Sequence, residues 1–306
     1  MTIKIMNSKV NFFALVDPLL GRITGLFIPV ANGKRESNVV LSSVISEHKL
    51  RVNIEQGLDY SDQSILFSLI ALAGIDRKII NENSKGPRST YLWNNLNAKY
   101  NATSENAILL STTQAKIISV LGWNKSGHEY DRLKEGLDRL SKVDLHLISE
   151  GYEWKSSMLS YLISKNDIGR EDVVDVVLNS RIARAIDGEQ FNRICLEERK
   201  QLKSNVAMLV HAWLSSNINP GEVLTPFLDT LVQRIWNTDK CQSNTALTAY
   251  EKKEVRRKRG MMVDALRDIA ELRGWQVELI GNGATGKATV RRPRVFKGVV
   301  IVKEEV

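Results

Sequence analysis

The feature that most constrains the fold is an apolar stripe that runs straight into a strand. Tyr130, Leu133, Leu137 and Leu140 are spaced three, four and three residues apart, which puts them on one side of an α-helix. Val143, Leu145 and Leu147 then alternate with polar residues, the period of a half-buried strand. Glu150-Gly151 marks a turn, and Trp154 to Ile163 supplies a returning strand. Upstream, Ser111 or Thr112 caps a helix that ends at Leu121-Gly122, and the short turn NKSG leads into the striped helix. Helix, short turn, helix and β-hairpin is the order of a winged helix, whose second helix enters the major groove of DNA.

The pattern occurs twice. With a constant offset of 132 residues, Tyr130, Leu133, Leu137, Leu140 and Val143 fall on Met262, Ala265, Ile269, Leu272 and Trp275. The second copy predicts a long helix from about Ala249 to Arg273 with Gly274 as its stop. The strand WQVELIG, the turn GNGATG and the returning strand KATVRR follow it. Thr225 or Pro226 opens a preceding helix through Leu231 to Trp236, and a polar linker separates the two. Other helices are predicted from Ser61, as N-cap, to Gly74, over 179–187, and over 196–215 with a break near Lys203-Ser204. Val173 to Val177 reads as a strand, as do VVLSSVIS and KLRVNIE near the start. Residues 76–104 read as a loop carrying a short helix near Tyr91 to Tyr100.

The expected fold is therefore α+β and helix-rich, a tandem winged-helix protein. It has an N-terminal strand-and-loop segment (1–60) packing on the first domain, domains at 61–165 and 170–293, and a tail at 294–306.

Charge narrows the partners. From Lys240 onward there are 15 Lys+Arg and 8 Asp+Glu, a net of +7 out of +8 for the whole chain. A footprint this localised suits a polyanion. The segment EKKEVRRKRG (251–260) places Lys252, Lys253, Arg256, Arg257, Lys258 and Arg259 near the start of the second long helix. Val255, Met262, Leu266 and Ile269 mark its buried side. Double-stranded DNA fits this helix, with some guanidinium groups on phosphates and others free to fork onto guanine. A merely solvated face or a membrane helix are the alternatives, and the lack of a broad Trp/Phe surface argues against the membrane. In the first unit the outward residues Ser126, His128, Glu129, Arg132, Lys134, Glu135 and Arg139 are mixed in charge. Lys125, Ser126, His128 and Arg132, at the start of that helix, are its candidate contacts. Lys287, Arg291 and Arg292 on the second hairpin are the candidate wing contacts.

Other chemistries find little support. GNGATGKA (281–288) has the spacing of a phosphate-binding loop, but Ala288 lacks the hydroxyl that magnesium needs. Such a loop also opens a helix, whereas here a strand follows. The four histidines are too scattered for a nicking site, and Cys195 and Cys241 have no metal-ligand spacing. No catalytic, metal or cofactor residue is expected, and the protein is read as non-enzymatic. No signal peptide or membrane span is apparent, which fits a bacterial cytoplasmic protein.

The chain resembles the RepC replication initiators of IncQ-type plasmids. The resemblance rests on SDQSILFSLIALAG (61–74), DRLKEGLDRLSKVDL (131–145), VVLNSRIARAI (176–186), MLVHAWLSSNINPG (208–221), FLDTLVQRIW (227–236), and VRRKRG followed by ALRDIAELRGWQV (255–277). These keep their order over roughly residues 60–293, while 1–55 match poorly, 76–104 look expanded and 294–306 run past the usual end. The resemblance implies an iteron-binding initiator with two winged-helix domains that helps to open a plasmid origin and recruits a plasmid-encoded helicase and primase; a monomer or homodimer is expected. The rival reading from the same residues is a winged-helix transcriptional regulator on a promoter operator.

Overall fold

A computed structural model describes residues 12–30, 33–45, 47–165, 172–238 and 247–294. Cys241, most of the linker 237–248 and the tail beyond Arg294 lie outside these residues. In chain order the elements are β1 (Phe13–Val16), α1 (Pro18–Arg22), β2 (Ser37–Ile45), β3 (His48–Gln56), α2 (Tyr60–Ala73), β4 (Lys78–Ile80), α3 (Pro87–Asn95), β5 (Lys99–Tyr100), β6 (Ala107–Thr113), α4 (Gln114–Leu121), α5 (Gly127–Ser141), β7 (Val143–Ser149) and β8 (Tyr152–Ser157). They continue with β9 (Leu159–Lys165), β10 (Asp172–Leu178), α6 (Ser180–Ile186), β11 (Asn192–Cys195), α7 (Leu196–Gln201), α8 (Asn205–Asn217), β12 (Val223–Leu224), α9 (Leu228–Trp236), α10 (Ala249–Ala270), β13 (Gln276–Ile280) and β14 (Lys287–Arg291).

The two halves share one connectivity. In the first, α2, β5, α4, α5, β7 and β8 follow one another; in the second, α8, β12, α9, α10, β13 and β14 do. In each, the short strand pairs antiparallel with the second strand of the hairpin: Tyr100 lies opposite Trp154, and Leu224 opposite Val290. The stripe predicted from sequence is the buried side of both long helices. Leu133, Leu137 and Leu140 are fully buried in α5, as are Met262, Ala265 and Ile269 in α10. The halves differ in what is added. β2 and β3 extend the first hairpin into a five-stranded sheet, order β2-β3-β7-β8-β5. β4, α3 and β6 are inserted before α4, and their small core of Ile80, Leu92, Leu96, Ala107 and Leu109 includes Val177 of β10.

The apolar cores divide the chain near residue 200 instead of at 165–170. One core runs from Ala14 to Leu196, takes in β10 and α6, and is joined by Ala212 of α8; the other runs from Leu202 to Val290. β10 belongs with the first because it lies between β6 and β9, paired with both. β1 pairs with β11 in register Phe13 to Cys195 within the first core, but the N-terminal segment does not pack on the first half alone, since α1 packs on α8 and Phe27 touches both cores. Buried arginines cross the seam. The Arg199 guanidinium donates to the Met208 carbonyl at 2.6 Å and to the Ser64 hydroxyl at 2.9 Å.

Four local readings shift. Asp59, not Ser61, caps α2: its carboxylate accepts from the amides of Ser61 and Asp62, and Asp62 accepts from the Asp59 amide. This is a capping box closed by a short acid at its third position. Ser111 and Thr112 lie in β6 opposite Asp175 and Val174, so Thr113 caps α4. The run Trp154 to Ile163 is two strands. β8 returns along β7, and after the buried Met158 the chain leaves as β9 to pair with β10. Alternation alone does not reveal such a change of sheet. At the end of α10 the helix stops at Ala270, four residues before Gly274, whose φ of 84° completes the turn into β13.

Candidate nucleic-acid interface

α10 is held at both ends and along one side. Thr248 caps it, its hydroxyl accepting from the Glu251 amide at 3.2 Å while the Glu251 carboxylate accepts from the Thr248 amide at 3.0 Å. Its apolar side packs on α8 and α9. The opposite side is solvated and carries Lys252, Lys253, Arg256, Arg257, Gly260, Asp264 and Arg267. Lys252, Lys253 and Arg256 make no hydrogen bond or ion pair among the described residues. Arg257 is half-exposed and clasps Glu254 one turn back, at 2.7 and 2.9 Å. Gly260 interrupts this face at a cost of ~1 kcal/mol relative to Ala.

The other two cations of the basic segment lie on the flanks. Arg259 turns toward α9, where its guanidinium makes paired bonds to Asp229 at 2.5 and 2.7 Å. The Lys258 ammonium lies 5.9 Å from the centre of the Trp236 ring. Paired, planar geometry makes Arg259 an anchor between α9 and α10, which removes it from the set of projecting contacts. The reason is positional: residue 259 falls about 40° round the helix from Val255, beside the buried stripe.

The hairpin after α10 carries the remaining candidates in unlike settings. Arg291 is exposed, with a single 3.3 Å bond to the Gly221 carbonyl. The Lys287 ammonium sits 4.5 Å over the Phe227 ring, half-buried at the start of β14. Arg292 is a correction. It is only 8% exposed, and it donates to the carbonyls of Ser215, Ile218 and Arg193. The first two lie at the end of α8, so its charge satisfies the orphan carbonyls of a helix C-terminus. The third ties β14 to β11. Burial lowers its pKa from the ordinary arginine value, with Glu198 opposing that shift. The string RRPR gives no sign of this, because the burial depends on the distant end of α8.

In the first half, Lys125, Ser126 and His128 are exposed at the start of α5, and the Ser126 side chain makes no capping bond. Arg132 is a second correction. Its guanidinium lies 4.2 Å from the Trp123 ring centre and 5.5 Å from that of Tyr60, and it donates to the Tyr60 hydroxyl at 2.7 Å. It therefore fastens α5 to α2. Arg139 does not face outward either. It is buried against Asp62, at 2.9 to 3.0 Å, which Arg35 also reaches. Burial and the neighbouring Asp59 charge raise the Asp62 carboxyl, against the pull of Arg139. What remains exposed on α5 mixes Lys134 with Asp131 and Glu135.

The Gly-rich segment 281–286 joins β13 to β14 as a hairpin tip with Ile280 opposite Lys287, so no helix opens at Lys287. Among the described residues no group of three or more His, Cys, Asp or Glu side chains is placed to hold a metal ion. No described helix is long and apolar enough to cross a membrane. Cys195 is a free, buried thiol whose pKa burial pushes up to about 11.

Comparison with known proteins decides the family. The family model for replication protein C, RepC, matches residues 13–294. The chain belongs to the RepC family of replication initiators. The match begins at residue 13, so β1 to β3 are part of the RepC pattern although residues 1–55 match poorly by the segments that carry the resemblance. No curated protein matches this RepC chain. Two crystal structures of domains 2 and 3 of RctB share its fold. One has a TM-score of 0.50 at 14% identity, covering 90% of this chain and 96% of that one. The other, a selenomethionine derivative, has a TM-score of 0.52 at 15% identity, covering 90% and 97%.

Proposed function

We propose that this RepC protein initiates plasmid replication by binding directly repeated duplex sites through two winged-helix units. α10 is the principal DNA-contacting helix. The observation that carries this reading is the solvated face of Lys252, Lys253, Arg256 and Arg257 on a long helix that a β-hairpin follows directly. A helix in that position fits the major groove while the hairpin reaches the flanking backbone. Lys258, Lys287 and Arg291 lie beside this face as secondary contacts. The shared order of helix, short strand, helix, long helix and hairpin supports a second, weaker module in the first half, with Lys125, Ser126 and His128 at its edge. Its mixed charge makes it a positioning partner, and two linked modules gain affinity through effective concentration. Origin opening and recruitment of a plasmid-encoded helicase and primase follow from RepC membership as part of the same proposal, as does a non-catalytic role.

Footprinting on the DNA next to the encoding gene tests it. The expected result is protection of tandem repeats, lost when Lys253 and Arg256 are both replaced by Ala. Protection confined to a single promoter site would favour the regulator instead.

A further inference from the structure

Gly260 sits where a helix gains nothing from glycine. It is in the middle of α10, with eleven helical residues before it and ten after. Glycine is the poorest helix former apart from proline, because it gives up the most backbone freedom. Inside a helix it is retained where a neighbour leaves no room for a side chain. Gly136 of α5 is such a case, since a Cβ there would lie 2.3 Å from Ile65 Cδ1. At Gly260 the same test finds nothing within 4 Å among the described residues outside the helix's own adjoining backbone and its two chain neighbours. The residue is exposed, and its φ does not lie in the left-handed region. Neither packing among the described residues nor backbone conformation requires it.

Its surroundings say what would. Lys253, Arg256 and Arg257 lie one to two turns before it on the same solvated side, and Arg267 lies two turns after. Gly260 is thus the low point of a cationic surface. An α-helix with its side chains is about 10–12 Å across, close to the major-groove width of about 12 Å. Such a helix approaches the bases only where the side chain facing inward is small. We propose that Gly260 marks the point of closest approach between α10 and duplex DNA. The absent side chain lets the α10 backbone descend until Arg256 and Arg257 span the groove walls. This rests on the reading of α10 as the DNA-contacting helix.

The test replaces Gly260 with Ala and with Leu in the full chain. Melting temperature and affinity for a duplex carrying the footprinted repeat are then measured at one salt concentration. Both variants are expected to melt at or above the wild-type temperature, which separates the effect from misfolding. Affinity is expected to fall stepwise with side-chain size, by tenfold or more for Gly260→Leu. Ala270→Leu, exposed on the same helix but further along, is expected to bind like wild type. Wild-type affinity in Gly260→Leu, with binding weakened in Arg256→Ala, would overturn the closest-approach proposal and leave the DNA-contacting helix standing. Wild-type affinity in Arg256→Ala would refute both.

Discussion

Arg291 and Arg292 are neighbours in sequence, and the structure exposes the first and buries the second, so replacing each by Ala is a sharp perturbation. Arg292 is 8% exposed and donates to three carbonyl oxygens. Hydrogen bonds from a charged donor are worth about 1.5–3 kcal/mol each, and a buried acceptor left without a partner costs about 1–3 kcal/mol. Water entering the space left by the side chain will satisfy some of the three. A net loss of about 3–5 kcal/mol is therefore expected for Arg292→Ala, a large part of a typical domain's stability. With a urea slope of about 2 kcal/mol/M, the midpoint should fall by about 2 M. Trp213, Trp236 and Trp275 all lie in the second half and report its unfolding by fluorescence. Arg291→Ala removes one long surface bond and should stay within about 0.5 kcal/mol of wild type. In DNA binding the order should reverse, with Arg291→Ala the weaker binder under conditions where both variants are folded. A stability loss below about 1 kcal/mol for Arg292→Ala would refute its assignment as the cap of α8.

Other expectations concern the packing beneath the interface. Gly136→Ala should destabilise the first half by about 1–3 kcal/mol through overpacking, because the new Cβ meets Ile65 Cδ1 at 2.3 Å. Adding Ile65→Val, which removes that atom, should restore part of the loss in thermal unfolding. His211 is buried on α8, hydrogen-bonded to Glu198 at 2.8 Å and beside the Trp275 ring. Burial lowers its pKa from 6.5 against the pull of Glu198. The unfolded chain then binds a proton that the folded chain resists, so stability is intact above about pH 6.5 and falls as pH drops through the depressed value. Urea unfolding between pH 7.5 and 5 should show this slope, and His211→Gln should flatten it. An unchanged slope would mean that His211 does not carry it.

The long helices and their hairpins were legible because their information is local. Leu133, Leu137 and Leu140 declare one face, Val143 to Leu147 declare a strand, and the offset of 132 residues puts Met262 to Trp275 in the same roles. The basic face of α10 was legible for the same reason, since helical period alone separates Arg256 and Arg257 from Val255 and Met262. What could not be read depends on partners far along the chain. β10 goes with the first half because β6 and β9 flank it. Arg292 is buried because the end of α8 lacks hydrogen-bond donors, and Arg132 is held by Tyr60, 72 residues away. Arg259 lay within reach of sequence reasoning, since its place beside the buried stripe predicts a flank position. The acid that holds it, Asp229, becomes evident only when α9 packs against α10.

On the reading proposed for α10, the cations on its solvated side neutralise DNA phosphates. This is tested most directly by measuring affinity for the repeat duplex across a series of salt concentrations. Each phosphate contact contributes about 0.9 to the slope of log K against log salt. Replacing Lys253 and Arg256 together by Ala should therefore flatten that slope by up to about two units and weaken binding at low salt. A double variant with the slope and affinity of the wild type would contradict the account.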